Sequence, residues 1–228
     1  MSFNKKVLPF VLMLAFAACA VESGGGEAES DEAAEPQAPA GPVDYPLCVL
    51  ETTMGTIVLE LDRTKAPKTV NNFEVHVNSG FYNGLQWHRV INTSNFGVIQ
   101  TGLLTADYAP RRSSAAFLDN EGDNGLKNVR YSVGMARGSD PNSAKSEFYI
   151  NLRDNTALDT TEEKWGYAVF GKVIEGTDVV DRIAGVPTRT RGTREDIPVD
   201  PVVVERAYMT TLDAWQASHG QDTTTTGQ

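Results

Sequence analysis

Apolar residues in this chain fall mainly in short runs rich in β-branched and aromatic side chains. Gly, Asp, Asn and Pro bound these runs, a pattern that predicts strands. The spacing places strands at 47–52, 56–61, 86–91, 98–102, 131–136, 148–152, 168–174 and 202–208. Thr53-Met54-Gly55 is short enough to join the first two as a tight hairpin. Two stretches repeat with helical period instead. Pro67 suits a first turn, Val70, Phe73 and Val77 follow on one face, and Gly80 is a ready C-terminal cap. The second helix starts near Thr177 as N-cap, carries Val179, Val180 and Ile183 on one face, and stops at Gly185. Two helices are too few to cover both faces of a parallel sheet. The pattern therefore predicts a mostly β domain, barrel or sandwich, with two helices.

Two connections, 103–130 and 154–164, are long and weakly periodic. Loops of that length in a compact domain often carry function.

Both ends of the chain read as something other than this domain. Lys5 and Lys6 precede an apolar run that Pro9 interrupts and that is too short to span a bilayer, so residues 1–18 read as an export signal. Phe16-Ala17-Ala18-Cys19 resembles a bacterial lipobox, with Phe16 where Leu is usual, and makes Cys19 the candidate for lipidation. Ordinary cleavage at Ala15-Phe16-Ala17 or Ala18-Cys19-Ala20 is the alternative. Residues 19–46 then form a lipid-anchor cysteine and a flexible acidic linker, since 21–42 is mostly Gly, Ala, Glu, Ser and Pro. Residues 210–228 read as a polar C-terminal tail, Thr-rich toward its end.

The chain has 228 residues, with Lys+Arg 20 against Asp+Glu 30, a net charge of −10. That balance argues against a nucleic-acid partner, which needs a basic face. With Cys19 lipidated, Cys48 has no partner and no disulfide is expected. It lies between Leu47 and Val49 and reads as a packed thiol. His76, His88 and His219 are scattered and no C-x-x-C exists, so no metal site is expected.

Candidate chemistry sits in four blocks. They are Trp87-His88-Arg89-Val90-Ile91 with Gly97-Val98-Ile99-Gln100-Thr101-Gly102, then Met135-Ala136-Arg137, then Ser146-Glu147-Phe148-Tyr149-Ile150-Asn151, and finally Gly166-Tyr167-Ala168-Val169-Phe170-Gly171. In this order they resemble the cyclophilins, a family of peptidyl-prolyl cis-trans isomerases, over 47–209. Asn120-Glu121-Gly122-Asp123-Asn124-Gly125-Leu126 is similar to the family's bacterial secreted branch. The resemblance implies a closed eight-stranded antiparallel β-barrel capped by two α-helices. It implies no cofactor, because the reaction moves no electrons and breaks no covalent bond. It implies a monomer acting on proline-containing segments of exported proteins. With the N-terminal signal, it implies a bacterial envelope location facing the periplasm, anchored to a membrane through Cys19.

An X-Pro amide resists rotation by about 18–20 kcal/mol because resonance keeps it planar. A catalyst needs only to hold the proline ring and favour the twisted amide, whose nitrogen is the better hydrogen-bond acceptor. A permanently charged, forked guanidinium suits that task. The resemblance assigns it to Arg89, with Gln100 binding the substrate backbone and helping hold Arg89. It places Phe96, Val98, Ala136, Arg137, Glu147, Tyr149, Leu158 and Tyr167 in the substrate site, and leaves His88, Phe148, Val169 and Phe170 to packing.

This chain departs from the family pattern at the apolar grip. Arg89 and Gln100 are spaced a few residues wider than usual, through Asn92-Thr93-Ser94-Asn95. Gly97 aligns with a pocket phenylalanine, which Phe96 replaces if the backbone bulges. Glu147 stands where Gln is usual, and Ala157 where a large aromatic rims the pocket. These changes predict a shallower pocket. They leave a second reading open, a peptide-binding module or chaperone of the same fold with weak or no turnover.

Overall fold

A computed structural model describes residues 45–219. The expected signal, Cys19 and most of the linker lie outside the described residues, as does the chain beyond 219. The strands are β1 Leu47–Thr52, β2 Gly55–Leu61, β3 Leu85–Gln86, β4 Arg89–Asn92, β5 Gly97–Thr101 and β6 Ser132–Met135. They continue with β7 Phe148–Asn151, β8 Val169–Glu175, β9 Thr188–Arg191, β10 Arg194–Pro198 and β11 Val203–Thr210. The helices are α1 Pro67–Asn78, α2 Thr177–Ala184 and α3 Leu212–His219, with a single 3₁₀ turn at Thr156–Leu158.

Nine strands form one curled sheet in the order β3-β11-β1-β2-β8-β6-β7-β5-β4, paired antiparallel throughout. This differs in detail from the closed eight-stranded barrel with two helices. The single strand expected at 86–91 breaks at Trp87-His88 into β3 and β4, which become the two edges of the sheet. Both edges thus belong to one run of chain. The break has a local cause: the Trp87 N–H bonds the carbonyl of Val202, while His88 turns its ring to Glu147.

Alternation sends one face of the main-sheet strands inward. Cys48 and Leu50, Ile57 and Leu59, Val90, Ile99, Val133, Met135, Phe148, Ile150 and Phe170 share one buried core. Helix α1 closes it with Val70, Phe73 and Val77, and α2 with Val179, Val180 and Ile183. Phe73, Tyr82 and Trp87 pack edge-on or tilted around Phe148 or one another, at centroid distances of 5.1 to 5.8 Å. Cys48 is fully buried and free, and burial pushes its thiol far above the ordinary range. Val169 is buried too, but on the opposite face from Phe170.

Helix α1 has no local cap, since Ala66 precedes Pro67 and the first turn holds no acid. The long loop supplies one. The Glu121 carboxylate accepts the N–H groups of Lys68 at 3.0 Å and Thr69 at 2.8 Å, satisfying orphan donors where the helix dipole favours negative charge. At α2 the N-cap is Gly176, with φ 81°, and not Thr177, which is already helical.

Two further elements differ from the sequence reading. Residues 212–219 form α3 and are not part of a bare tail. Trp215 is buried on the outer face of the β1–β2 hairpin with Leu47, Val49 and Val58, and its Nε1–H donates to Glu175 at 2.9 Å. A lone tryptophan among polar residues gave no helical period to read. Strands β9 and β10 form a separate hairpin about Gly192 that packs on β4. Its alternation carries almost no apolar residue, which hid it from a hydrophobicity pattern.

Candidate active site

Four antiparallel strands set the site in a row across the outer face of the sheet. Arg89 on β4 lies opposite Gln100 on β5, Gln100 opposite Tyr149 on β7, and Tyr149 opposite Gly134 on β6. The neighbouring row places Ile91 opposite Val98 and Val98 opposite Asn151. Directly opposed residues in a sheet share a face, so register alone gathers Arg89, Gln100, Val98 and Tyr149 on one surface.

Hydrogen bonds order the polar end of that row. Arg89 is exposed, and its Nη1 donates a long bond of 3.4 Å to Gln100 Oε1. Gln100 Nε2 donates to Glu147 at 2.9 Å. His88, 4% exposed, places Nε2 at 3.3 Å from the same Glu147 oxygen. A carboxylate only accepts and a guanidinium only donates. Glu147 and Arg89 together therefore fix which way the Gln100 amide points. Burial pushes the Glu147 carboxyl up, but bonds and charge from His88, the Gln100 amide and the Arg194 charge outweigh it. The carboxyl ends below the ordinary glutamate range.

The apolar end is built differently. Tyr149 is 4% exposed and its ring lies over Gly134, where a Cβ would sit 2.3 Å from the phenol carbon. Only glycine leaves that room. The phenol donates to Asn128 Oδ1 at 2.7 Å, and burial pushes its pKa far above the ordinary value, so it stays a neutral donor. Tyr167 meets the Tyr149 ring edge-on at 6.1 Å. The Arg137 guanidinium stacks on Tyr167 at 4.5 Å. Leu158, in the 3₁₀ turn, is half-buried and its carbonyl accepts the Tyr167 N–H.

The wider Arg89–Gln100 spacing is absorbed without a bulge. The β4–β5 ladder pairs without a break down to Asn92 and Gly97. The additional residues form a turn in which the Phe96 carbonyl accepts the Thr93 N–H at 2.9 Å. Phe96 thus lies in the turn, half-buried, rather than bulged into the Gly97 position. Gly97 falls on the face of Ile99, not of Val98. A Cβ there would meet Arg153 Nε at 2.9 Å and Leu152 Cβ at 3.0 Å. Arg153, bound to Ser94 O and Asn92 Oδ1, fills that space.

Two open clefts meet at Gln100 and Glu147. One, about 440 Å³, continues past Ala136 and Arg137, and the other, about 320 Å³, runs under Arg89 to the tip of the β9–β10 hairpin. Thr193, Arg194, Glu195 and Asp196 form that second wall, which the sequence reading missed.

It also missed what supports the row from its flank. Asn128, Asn151 and Asn155, each at most 3% exposed, interlock beside it. Asn151 Nδ2 donates to Asn128 Oδ1 and to Ser132 Oγ, and Asn155 Nδ2 to Asn151 Oδ1 and to Gly97 O. Asn128 in turn donates its N–H and side-chain amide to Asp159. Asparagines at irregular spacing in loops and strand ends carry no periodic signal; nothing in the chain order announces that they meet.

The chain matches the family model "Cyclophilin type peptidyl-prolyl cis-trans isomerase/CLD" over residues 47–209. It belongs to the cyclophilin-type peptidyl-prolyl cis-trans isomerases. This cyclophilin is 51% identical over 161 residues to peptidyl-prolyl cis-trans isomerase cyp18 of Streptomyces antibioticus, covering 69% of this chain and 95% of that protein. It is 39% identical over 162 residues to peptidyl-prolyl cis-trans isomerase B of Escherichia coli, covering 70% of this chain and 96% of that one. Among solved structures it resembles a Cryptosporidium parvum cyclophilin-type isomerase determined in the presence of the dipeptide Ala-Pro. The TM-score is 0.58 at 23% identity, over 72% of this chain and 99% of that chain. The cyclophilin is thus an isomerase of X-Pro bonds, and the row above is the candidate seat of that activity.

Proposed function

We propose that Arg89 is the catalytic group and that the row Arg89–Gln100–Tyr149 is where a proline-containing peptide turns. The observation that carries this is the ordered chain from His88 through Glu147 and Gln100 to Arg89. It holds a guanidinium at the exposed end of the row, with the Tyr149 and Tyr167 rings at the other end. The substrate lays its proline ring on Val98, Tyr149, Leu158 and Tyr167, while Phe96 stays in the turn beyond them. Gln100 hydrogen-bonds its backbone, and Ala136, Arg137 and Glu147 border the chain on one side. As the amide twists, its nitrogen lone pair localises and accepts from Arg89. That contact is stronger in the twisted state than in either planar one, which is the condition for acceleration. No step needs a cofactor.

The substrates are proline-containing segments of exported proteins, and the enzyme works as a monomer in the bacterial envelope, facing the periplasm. Supporting this location are Lys5 and Lys6 before a short apolar run, and the lipobox-like Phe16-Ala17-Ala18-Cys19 before an acidic linker. Cys19 carries the lipid that holds the protein to a membrane. The continuity of β3 and β4 supports reading the sheet as one closed eight-stranded barrel.

The test is cis-trans exchange in an Ala-Pro peptide, followed by NMR with the wild type and Arg89→Ala side by side. Exchange should fall about a hundredfold in the variant while its amide spectrum stays folded. Full activity in a folded variant removes Arg89 from the mechanism. Membrane fractionation of Cys19→Ala tests the anchor: the variant should be released.

A further inference from the structure

The cleft of about 440 Å³ beside Gln100 is walled by cations that no carboxylate neutralises. Arg111, Arg112, Arg137 and Lys145 line it, and among the described residues none of the four forms an ion pair. Arg111, Arg137 and Lys145 are held by neutral groups instead. Arg111 Nη1 donates to the carbonyls of Phe81 and Asn83, and Arg137 Nη2 to those of Trp165 and Gly166. The Lys145 ammonium sits 4.6 Å above the Phe117 ring. Such contacts fix direction and leave the charge in place. The one acid in the lining, Glu147, already accepts from Gln100 and faces His88. A positive cleft thus opens in a protein whose net charge is −10.

We propose that this cleft recognises an acidic side chain of the substrate, an aspartate or glutamate within a few residues of the isomerised proline. The inference rests on placing the proline on the Arg89–Gln100 row. Gln100 of the row lines the cleft, as does Glu147, to which Gln100 donates, so a peptide crossing the row passes the mouth of the cleft. Cleft walls of one sign focus the potential, and a carboxylate entering there gains charge-assisted hydrogen bonds. An amide of the same shape gains less, and an ammonium is repelled.

Peptides identical except for Glu, Gln or Lys at one position decide the matter. That position is moved in turn along both sides of a central Ala-Pro, and affinity is read by NMR titration. At one position the Glu peptide should bind about fivefold tighter than the Gln peptide, with Lys weaker still. The ratio should shrink toward one in about 0.5 M salt. The double variant Arg112→Ala, Lys145→Ala should lower it, each variant being its own reference through the Gln peptide. Equal affinities for Glu and Gln at every position overturn the proposal, as does a preference that salt leaves untouched. A ratio that survives in the double variant overturns the assignment to this cleft. Exchange of the Gln peptide reports separately on the row: binding without turnover would sink the reading of Arg89 while the Glu preference still judged the cleft.

Discussion

The two halves of the sheet use their outer faces in opposite ways. On β1 and β2 that face is apolar, and α3 covers it: Leu47, Val49 and Val58 lie under Trp215. On β4, β5 and β7 the outer face carries Arg89, Gln100, Tyr149 and Asn151. Its inner face is as tightly packed as that of the first half, with Val90, Ile99, Phe148 and Ile150 in the common core. One ladder therefore provides a wall buried on both sides and a wall that displays chemistry. In the second wall the buried polar residues flanking the row satisfy one another, through Asn128, Asn151, Asn155 and Asp159. Fixed donors and acceptors are what a site needs if it is to favour a transient twisted amide.

If this division is right, disturbing the covered half should cost stability and spare turnover per folded molecule. Trp215→Ala should lower unfolding free energy by about 3 kcal/mol, measured by urea denaturation. A comparable loss of specific activity in the folded variant would erase the distinction. Disturbing the open half should do the reverse. Arg89→Ala, costing about a hundredfold in exchange rate or about 2.7 kcal/mol of barrier, should leave the denaturation midpoint nearly unmoved.

Asn128→Ala tests the support flanking the row. It leaves the Tyr149 phenol and the Asn151 amide short of an acceptor, an expected loss of about 2 kcal/mol. Because the Tyr149 ring is freed as well, turnover should fall with stability. A variant that loses stability alone would show that the asparagines merely fill space.

The smallest effect concerns pH. The folded Glu147 carboxyl lies below the ordinary range, so the folded state binds fewer protons there than the unfolded chain. Its contribution is complete above the ordinary glutamate value of about 4.3 and is lost as pH falls through the folded value. Protonation also frees the Gln100 amide to flip. Exchange rate should therefore decline on the acid side of about pH 4.3, and Glu147→Gln should flatten that limb. An unchanged limb would assign it to another group.

Hydrophobic period made the covered half easy to read and the open half only partly so. The core strands, α1 and the helical run from Val179 to Ile183 stand out because burial imposes period two or period 3.6 on apolar residues. Arg89, Gln100 and Glu147 were legible as candidates through their place in family motifs, not through any pattern of their own. The β9–β10 hairpin and Trp215 escaped because a nearly all-polar alternation and a single aromatic leave no period to detect.

By itself the sequence determined the core strands and the helices α1 and α2, most of the inward residues, the family and the residue types of its chemistry. Each of those depends on local spacing or on the order of short blocks. Only the tertiary structure decided that Arg89, Gln100, Tyr149 and Gly134 form one row. It also decided that Arg153 fills the space beside Gly97, that Glu121 caps α1 from a distant loop, and that the cleft cations stand without acids. Those relations join residues far apart in the chain. They are fixed by strand register and by the need to satisfy buried polar groups, and neither is written in any one stretch of residues.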